Sequence, residues 1–333
     1  LRFIGNADVT GGVGEKSNED GIGVAGGDAV DAVNVETLNI TVVGTQATGT
    51  SADEVKFTGG LGGALTDADS SGGGTAGANG QSLIVGTNAT VKLFSELDAT
   101  VATAAVHNDI DLGTVKGTNV TIDGSAFLGK IKAVAGDGNV VIKGGAAADT
   151  LTGGTGQDVI SGGAGDDVID GGAGVDEMTG GDGKDTFKVA IGGNTAVTAV
   201  TDKVTDFQVG ADKIDLTTTT AVANKASTDV TGAIGGAGAV AGDTLTASVA
   251  NGVITLAGNA VSKIDTVAEL IDIFELMDVA GTADTAVIEM AGSTYVISDE
   301  AGANAVIEVV QLVGLTGVAK IGTAIEAGVL ALA

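Results

Sequence analysis

Residues Gly153–Lys188 read GGTGQDVIS GGAGDDVID GGAGVDEMT GGDGKDTFK, four units of nine residues in direct succession. Each unit begins with two glycines and has a third glycine at its fourth position. An aspartate stands at the sixth position and one large apolar residue at the eighth. The preceding unit, Gly144–Thr152 (GGAAADTLT), keeps the pattern except for Ala147 in place of the third glycine. Five tandem matches make this period a specific signal, whereas one unit alone would be a weak one.

The period predicts a turn and a short strand in every unit. Six glycine-rich residues can form a tight turn, because glycine enters backbone conformations that other residues avoid. The next three residues form a strand with one inward side chain. Two units complete one coil of a flattened parallel β-roll, so turns two units apart stack on the same edge. The inward residues are Leu151, Ile160, Ile169, Met178 and Phe187.

The segment before the repeats keeps their spacing but loses their aspartate. Ala135–Lys143 (AGDGNVVIK) retains Ile142 at the apolar position and has Val140 where the aspartate should be. Stacked repeats usually end in atypical units that cover the open end of the core. We therefore predict that this segment is a degenerate capping turn.

Stacked turns of this kind also predict a metal site. Each turn offers backbone carbonyl oxygens and one aspartate oxygen to a pocket that it shares with the turn stacked on it. Hard oxygen ligands in high number suit Ca²⁺ better than zinc or copper. The candidate calcium-binding residues are Gly144, Asp149, Gly153, Gly154, Gly156, Asp158, Gly162, Gly163, Gly165, Asp167, Gly171, Gly172, Gly174, Asp176, Gly180, Gly181, Gly183 and Asp185.

These units resemble the calcium-binding nonapeptide repeats of RTX proteins, which leave Gram-negative bacteria by type I secretion and fold outside. The resemblance implies that Asp149 pairs with Asp167, Asp158 with Asp176, and Asp167 with Asp185, giving at least three Ca²⁺ ions in the repeat block. Aspartates at variable positions are expected to be solvated: Asp166, Asp170 and Asp182.

The composition limits the classes of partner. The chain has 333 residues with 15 Lys and Arg against 43 Asp and Glu, a formal net charge of −28. That balance argues against nucleic acid, whose binding depends on contacts between Lys or Arg and phosphate, and against anionic membrane surfaces. There is no cysteine and no apolar window long enough to span a bilayer. Because the sequence begins at Leu1, we expect it to be part of a longer protein.

Residues 1–134 show short segments of alternating polarity. In Val35–Val43, Leu38, Ile40 and Val42 lie on one face, and the same period of two recurs at Val55 and Phe57, Val91 and Leu93, Val120 and Ile122, and Val140 and Ile142. Such alternation is typical of half-buried strands. With 2% aromatic residues, a wide sandwich core would be poorly filled, so 1–134 is predicted to be a β-rich, solenoid-like domain. A β-sandwich remains the alternative.

The RTX roll is predicted to cover 135–190, and 191–333 to cap it and carry the secretion signal. Thr201–Leu216 (TDKVTDFQVGADKIDL) resembles the segment that commonly closes RTX repeat blocks. Its apolar residues are expected to cover the end of the roll: Val204, Phe207, Val209, Ile214 and Leu216. Three of its carboxylates are candidates for a last calcium site, with solvated surface aspartates as the alternative: Asp206, Asp212 and Asp215.

The C-terminal part is predicted to be mixed, so the fold class is mainly β, a β-solenoid with a parallel β-roll and calcium-binding turns, plus one amphipathic helix. Ser262–Met277 places Ile264, Val267, Leu270, Ile271, Phe274 and Met277 on one helical face, with Ser262 and Asp265 as a cap signal. Strands are expected near Val287, Tyr295 and Val309. The resemblance to type I substrates makes the tail, Gly317–Ala333, the uncleaved secretion signal.

Other candidate sites are weaker. The stretch DADSSG, with Asp67, Asp69, Ser71 and Gly72, begins like an EF-hand loop but has Ala78 at the twelfth position, so an acidic turn is the favoured interpretation. Glu19 and Asp20 lack ligand spacing, and His107 is the single histidine.

The zinc-protease motif H-E-x-x-H, the nucleophile elbow G-x-S-x-G and the phosphate-binding loop are absent from the sequence. We therefore expect no enzyme.

Three functions fit these observations. The composition, acidic, cysteine-free and rich in Ala, Gly, Thr and Val, resembles that of RTX surface-layer proteins, which makes a calcium-folded structural subunit of a Gram-negative cell-surface lattice the leading hypothesis. Its partners would be other copies of itself, the type I secretion apparatus and, through a missing or N-terminal region, cell-surface polysaccharide. The alternatives are the C-terminal part of an RTX adhesin and, less favoured, the secretion module of an RTX enzyme.

Overall fold

The structure is a computed structural model that describes residues 2–4, 7–10, 30–32, 37–44, 46–47, 54–58, 83–85, 87–97, 105–106, 109–189, 202–216, 220–221, 225–229, 244–277, 284–299, 307–319 and 329–332. The chain divides into two compact units, Leu1–Asp167 and Val168–Ala333. The predicted boundaries at 134 and 190 are not tested by this division. The EF-hand-like stretch, Glu19 with Asp20, and His107 lie outside the described residues.

The first unit is built from short strands: β1 (Arg2–Ile4), β2 (Ala7–Thr10), β3 (Val30–Ala32), β4 (Thr37–Gly44), β5 (Gln46–Ala47), β6 (Glu54–Thr58), β7 (Leu83–Val85), β8 (Thr90–Leu97), β9 (Ala105–Val106), β10 (Asp109–Lys116), β11 (Thr121–Ala126), β12 (Ile131–Ala135), β13 (Val141–Lys143), β14 (Thr150–Thr152), β15 (Thr155–Gly156) and β16 (Val159–Ala164).

From β10 to β14, successive strands alternate between two parallel sheets. One sheet has the order β4-β8-β11-β13-β16, and the other has β2-β6-β10-β12-β14. Strands two apart in the chain are therefore neighbours, as in β11 with β13 and β12 with β14. This arrangement is the predicted parallel solenoid, and the parallel pairing of these strands excludes an antiparallel β-sandwich for them.

The core of the first unit is a column of aliphatic side chains. Val91, Ile122, Ile142 and Ile160 are in register on consecutive strands of one sheet, and each has 0% of its surface exposed. Because one inward residue per short strand fills the narrow interior, Val, Ile and Leu are sufficient and aromatic side chains are hardly needed. The predicted inward positions are thus confirmed for these strands.

The second unit contains β17 (Val168–Asp170), β18 (Ala173–Gly174), β19 (Glu177–Asp182), β20 (Thr186–Lys188), β21 (Asp202–Val204), β22 (Lys213–Asp215), β23 (Thr220–Ala221), β24 (Lys225–Asp229), β25 (Thr246–Ala250), β26 (Val253–Ala257), the helix α1 (Val267–Met277), β27 (Asp284–Met290), β28 (Ser293–Asp299), β29 (Ile307–Leu312) and β30 (Val329–Ala331).

Parallel stacking continues within this unit up to the closing segment. Strand β17 pairs with β20 and β20 with β22, while β19 pairs with β21 and β21 with β29. Phe207 lies against Phe187 with ring centroids 6.2 Å apart. Four of the five predicted capping residues are buried, but Val209 is 43% exposed. The prediction for Val209 was wrong, because it lies beside Gly210 in the turn that connects to β22.

A largely antiparallel sheet with one helix completes the unit. Strands β27, β28 and β29 are antiparallel neighbours and confirm the three predicted strands. The apolar face of α1 is buried with side chains of the sheet in one cluster, including Phe274, Ile288, Tyr295 and Ile297. Among the described residues, no helix is long and apolar enough to cross a membrane.

The helix begins later than its sequence pattern predicted. Ser262 lies in a short 3-10 helix, Val261–Lys263, and α1 starts at Val267. Thr266 Oγ1 accepts a hydrogen bond from the Glu269 N–H at 3.3 Å, and Glu269 Oε2 accepts one from the Thr266 N–H at 3.1 Å. These two bonds form a capping box, so Thr266 caps the helix instead of Ser262 and Asp265.

The degenerate segment before the repeats is not a terminal cap. Strand β13, which belongs to Ala135–Lys143, pairs with β11 on one side and with β16 on the other. The coil therefore lies inside the stack. The sequence could not show this, because the coils beneath it, β10 to β12, lack the glycine pattern and use longer strands.

Candidate metal centre

The glycines of the four complete units hold the turns in left-handed backbone conformations. The second and third glycines of these units all have positive φ, between +89° and +149°: Gly154, Gly156, Gly163, Gly165, Gly172, Gly174, Gly181 and Gly183. A Cβ atom on Gly154 would lie 2.2 Å from the Gly136 carbonyl oxygen in the turn beneath. Glycine is therefore required both by backbone conformation and by the close stacking of the turns.

The first glycine of each unit is buried: Gly144, Gly153, Gly162, Gly171 and Gly180. In the units where the approach is described, this glycine faces the aspartate of its own turn. A Cβ atom on Gly171 would be 2.5 Å from Asp176 Oδ2, and one on Gly180 would be 2.2 Å from Asp185 Oδ2. The aspartate carboxylate therefore occupies the space that a Cβ atom on the glycine would need.

The repeat aspartates form a ladder of hydrogen bonds between stacked turns. Val140 N–H donates to Asp158 Oδ1 at 2.9 Å, and Asp149 N–H donates to Asp167 Oδ1 at 2.7 Å. Each bond spans 18 residues, or two units. The aspartates are 1% exposed. The ladder thus places Asp149 next to Asp167, while the calcium site that they were predicted to share stays a prediction. The other two predicted pairs, Asp158–Asp176 and Asp167–Asp185, each join a residue of the compact unit Leu1–Asp167 to one of Val168–Ala333. These two pairs stay predictions.

The ladder leaves one carboxylate oxygen per complete unit available. Among the described residues, the buried side-chain atoms that receive no hydrogen bond are Oδ2 of Asp158, Asp167, Asp176 and Asp185. Each of these residues has polar partners through its other atoms. A buried anionic oxygen without a donor is costly unless a cation balances it, and a hard oxygen is the ligand that Ca²⁺ prefers. The complete turns therefore fit calcium.

A site in these turns would take most of its ligands from the backbone. No cluster of three or more His, Cys, Asp or Glu side chains that could hold a metal occurs among the described residues. One aspartate per turn, together with carbonyl oxygens of glycine turns, is a different donor set, and it matches the high ligand number of Ca²⁺. The predicted ligand set therefore stays a prediction, with the backbone as its expected larger contributor.

The ladder continues past the last glycine repeat. Asp176 N–H donates to Asp202 Oδ1 at 2.9 Å, and Asp185 N–H donates to Asp212 Oδ1 at 3.0 Å. Asp212 was a candidate, but Asp202 was missed by the sequence reasoning. The signal was present: Asp202-Lys-Val and Asp212-Lys-Ile repeat the aspartate, variable and apolar order of the nonapeptides, and their strands β21 and β22 pair with β19 and β20.

The closing segment also clamps the last repeat turn. Asp206 Oδ1 accepts the N–H of Gly180 at 2.9 Å, and Asp206 Oδ2 accepts the N–H of Gly181 at 2.8 Å. Both Asp206 oxygens are therefore used by the backbone, and Asp212 Oδ2 likewise accepts the Gln208 N–H at 2.8 Å. Asp215 is half-buried on β22. Asp206 and Asp212 therefore act first as structural acceptors in this geometry.

Burial raises the pKa of several of these carboxyl groups. Desolvation raises the pKa of Asp149 to about 6 and that of Asp202 to about 6, in the second case with a further contribution from the charge of Asp170. Desolvation also raises the pKa of Asp158, while the Val140 N–H opposes it. At Asp158, whose Oδ2 receives no hydrogen bond, the fold therefore holds negative charge where water cannot stabilise it, which is the condition that a bound cation relieves.

The variable aspartates divide into two groups. Asp166 and Asp182 are exposed, as predicted. Asp170 is half-buried, its Oδ1 accepts the Gly172 N–H at 3.1 Å, and desolvation raises its pKa. The prediction that Asp170 is a solvated charge was wrong, because its strand position places it beside Lys188 and, beyond that, Asp215 on the same sheet.

Comparison with known proteins agrees with this geometry. Residues 133–160 and 152–187 match the family model of the RTX calcium-binding nonapeptide repeat, in four copies. No curated protein is similar enough to the chain to count as a match. The segment that carries the aspartate ladder is thus of a calcium-binding type that is typical of secreted proteins.

Proposed function

We propose that this RTX-repeat chain is a structural subunit of a bacterial surface layer that folds and assembles on extracellular calcium after type I secretion. The observation that carries calcium-dependent folding is that each complete turn buries one carboxylate oxygen that receives no hydrogen bond. These atoms are Oδ2 of Asp158, Asp167, Asp176 and Asp185. Four such oxygens in successive units make the folded roll depend on a cation.

Calcium concentration then decides where the chain folds. In a cytosol poor in free calcium, the acidic glycine-rich turns stay unfolded, since their carboxylates would be buried without compensation. Extracellular modules bind calcium with dissociation constants of about 10⁻⁴ to 10⁻³ M. A ligand that binds only the folded state stabilises that state. The chain is thus kept in a form suited to export until it reaches the outside.

The surface-layer assignment is supported by composition and charge. The chain combines a net charge of −28 with 57 glycines and no cysteine, which resembles RTX surface-layer proteins. Exposed carboxylates such as Asp166 and Asp182 leave acidic groups on the folded surface, where calcium can bridge copies in a lattice. Under this proposal the chain has no catalytic activity, and cell-surface polysaccharide is an anchoring partner for a region outside it.

The test is a calcium titration of the whole chain. The protein is purified in chelator, CaCl₂ is added stepwise, and circular dichroism is followed by negative-stain imaging. The control is MgCl₂ at equal ionic strength, which screens the negative charge but suits an all-protein cage of this kind poorly. We expect a coil-to-β transition with calcium alone and then ordered sheets.

The other outcomes separate the parts of the proposal. A transition that leaves only monomers would retain calcium folding and overturn the lattice, which would favour the C-terminal region of an adhesin. An equal response to magnesium would assign the transition to charge screening. Absence of any transition would overturn calcium-dependent folding itself.

A further inference from the structure

The first repeat turn differs from the four complete ones in its backbone. In turn 144–149, the second glycine, Gly145, lies outside the left-handed region, and Ala147 is not among the described residues with positive φ. The equivalent residues of the next unit, Gly154 and Gly156, have φ of +106° and +137°. The substitution of Ala147 for glycine therefore coincides with a different path for the whole turn.

The carboxylate of this turn is also bonded differently. Asp149 is 1% exposed. Its Oδ1 accepts the Ile131 N–H at 2.7 Å, and its Oδ2 accepts the N–H of Gly145 in its own turn at 2.6 Å. Two backbone donors therefore satisfy both oxygens of Asp149. Hydrogen bonds to a carboxylate are strong because one partner is charged.

The turn rests on a segment that has no repeat motif. Ala146 N–H donates to the Phe127 carbonyl at 3.1 Å, and a Cβ atom on Gly145 would lie 2.5 Å from that oxygen. Phe127 is fully buried. The ladder position beneath Asp149 is held by Ile131, which offers an N–H group and no carboxylate. The underside of turn 144–149 is thus closed by the chain.

The coils below follow the same rule. Asp111, 3% exposed, accepts the Gly113 N–H on Oδ1 at 2.8 Å and the Lys132 Nζ on Oδ2 at 3.0 Å. Val140 is an apolar residue at the aspartate position of its coil. From Asp109 to Thr152 the buried carboxylates, Asp111 and Asp149, are therefore compensated by groups of the chain.

We propose that turn 144–149 closes without calcium, so that Asp149 is a structural carboxylate and Asp109–Thr152 is a calcium-independent base on which turns 153–158 and 162–167 stack. This inference rests on the proposed calcium-dependent folding and names where that dependence begins. The base presents the Val140 and Asp149 N–H groups to Asp158 and Asp167, so the first calcium-binding turns meet an ordered partner. The cost of forming the first coil is then met before calcium arrives.

Hydrogen exchange of the whole wild-type chain tests the base directly. In chelator, the amides of Ile131, Gly145 and Ala146, whose acceptors lie within the base, should be protected, and calcium should change their exchange little. Amides in 153–187 should gain protection only when calcium is added. If the amides of 109–152 are unprotected in chelator and gain protection with calcium, the inference is overturned while calcium folding stands. If calcium changes no amide, the proposed function fails instead.

A matched pair of variants tests the role of Asp149. Asp149→Asn keeps an acceptor for Ile131 but turns an amide donor toward Gly145, so the variant should lose stability equally with and without calcium. Its calcium midpoint should stay within about twofold of wild type, whereas Asp158→Asn should raise the midpoint about tenfold, the factor that 1.4 kcal/mol makes in an equilibrium constant. An equal rise for Asp149→Asn would make Asp149 a calcium ligand and overturn the inference.

Discussion

At the scale of single residues, the turns require positions without a Cβ atom. Gly156 has a φ of +137°, and a Cβ atom there would lie 2.6 Å from the Gly138 carbonyl oxygen. We expect Gly156→Ala to destabilise the protein by about 1–3 kcal/mol from backbone strain and further from the clash. Gly210→Ala is the control, because Gly210 has a φ of +81° but no atom within 4 Å of a Cβ. Urea unfolding in saturating calcium measures both, and equal losses would contradict the stacking contact.

The carboxylate charge of Asp158 is the second residue-scale test. Asp158→Asn preserves the acceptor for the Val140 N–H and removes the charge beside the buried Oδ2 position. We expect the calcium midpoint for folding to rise about tenfold. Asp182→Asn removes one charge from an exposed position of the same repeat block and should leave the midpoint nearly unchanged. A similar shift in both variants would mean that net charge, and not a site, controls folding.

At the scale of elements, the capping box of α1 is separable from the roll. Thr266→Ala removes the acceptor for the Glu269 N–H, and we expect a loss of about 1 kcal/mol. Ser262→Ala alters the exposed serine that the sequence pattern had suggested as a cap, and its effect should stay within about 0.5 kcal/mol. Thermal unfolding of the two variants at fixed calcium decides between them, and a larger loss at Ser262 would contradict the observed start of the helix.

The sheet under α1 contains the single tyrosine of the chain, Tyr295, and burial raises its pKa. An unfolded tyrosine loses its proton near pH 10, while the folded one keeps it, so stability from this group is present below about pH 10 and is lost as pH rises through the higher folded pKa. Tyr295→Phe should lose less stability than wild type between pH 9 and pH 11 on urea unfolding. Ultraviolet absorbance of the sole tyrosine gives its titration directly, and a midpoint at or below about 10 would refute the prediction.

At the scale of the whole molecule, calcium binding and folding are one equilibrium. Each ion that binds only the folded state adds about 1.4 kcal/mol to the free energy of unfolding per tenfold rise in free calcium above its dissociation constant. We expect more than one ion in the repeat block, so the slope should exceed about 1.4 kcal/mol per tenfold. Urea midpoints in calcium buffers of constant ionic strength measure this slope. A slope for one ion would mean that the repeats do not act as equivalent sites.

The sequence by itself determined the parts of this protein whose causes are local. The nine-residue period, the inward residues Leu151 to Phe187, the parallel coils and the aspartate positions follow from how glycine, aspartate and one apolar residue behave within a single unit. The same reasoning located the closing segment and the amphipathic helix. Each of these features is decided by neighbours a few residues away, which a pattern can record.

The tertiary structure alone decided which oxygen each aspartate leaves available. Asp149 and Asp158 occupy the same position of the same motif. Both oxygens of Asp149 accept hydrogen bonds, from the N–H groups of Ile131 and Gly145, whereas Asp158 Oδ2 is buried and receives none. Asp202 joins the ladder 26 residues after Asp176, and Val209 turns outward. The physical reason is that the Oδ1 acceptors are bonded by turns 18 or more residues apart in the chain. The Gly145 N–H that bonds Asp149 Oδ2 is local, but turn 144–149 also rests on the Phe127 carbonyl, a contact that the repeat motif does not record.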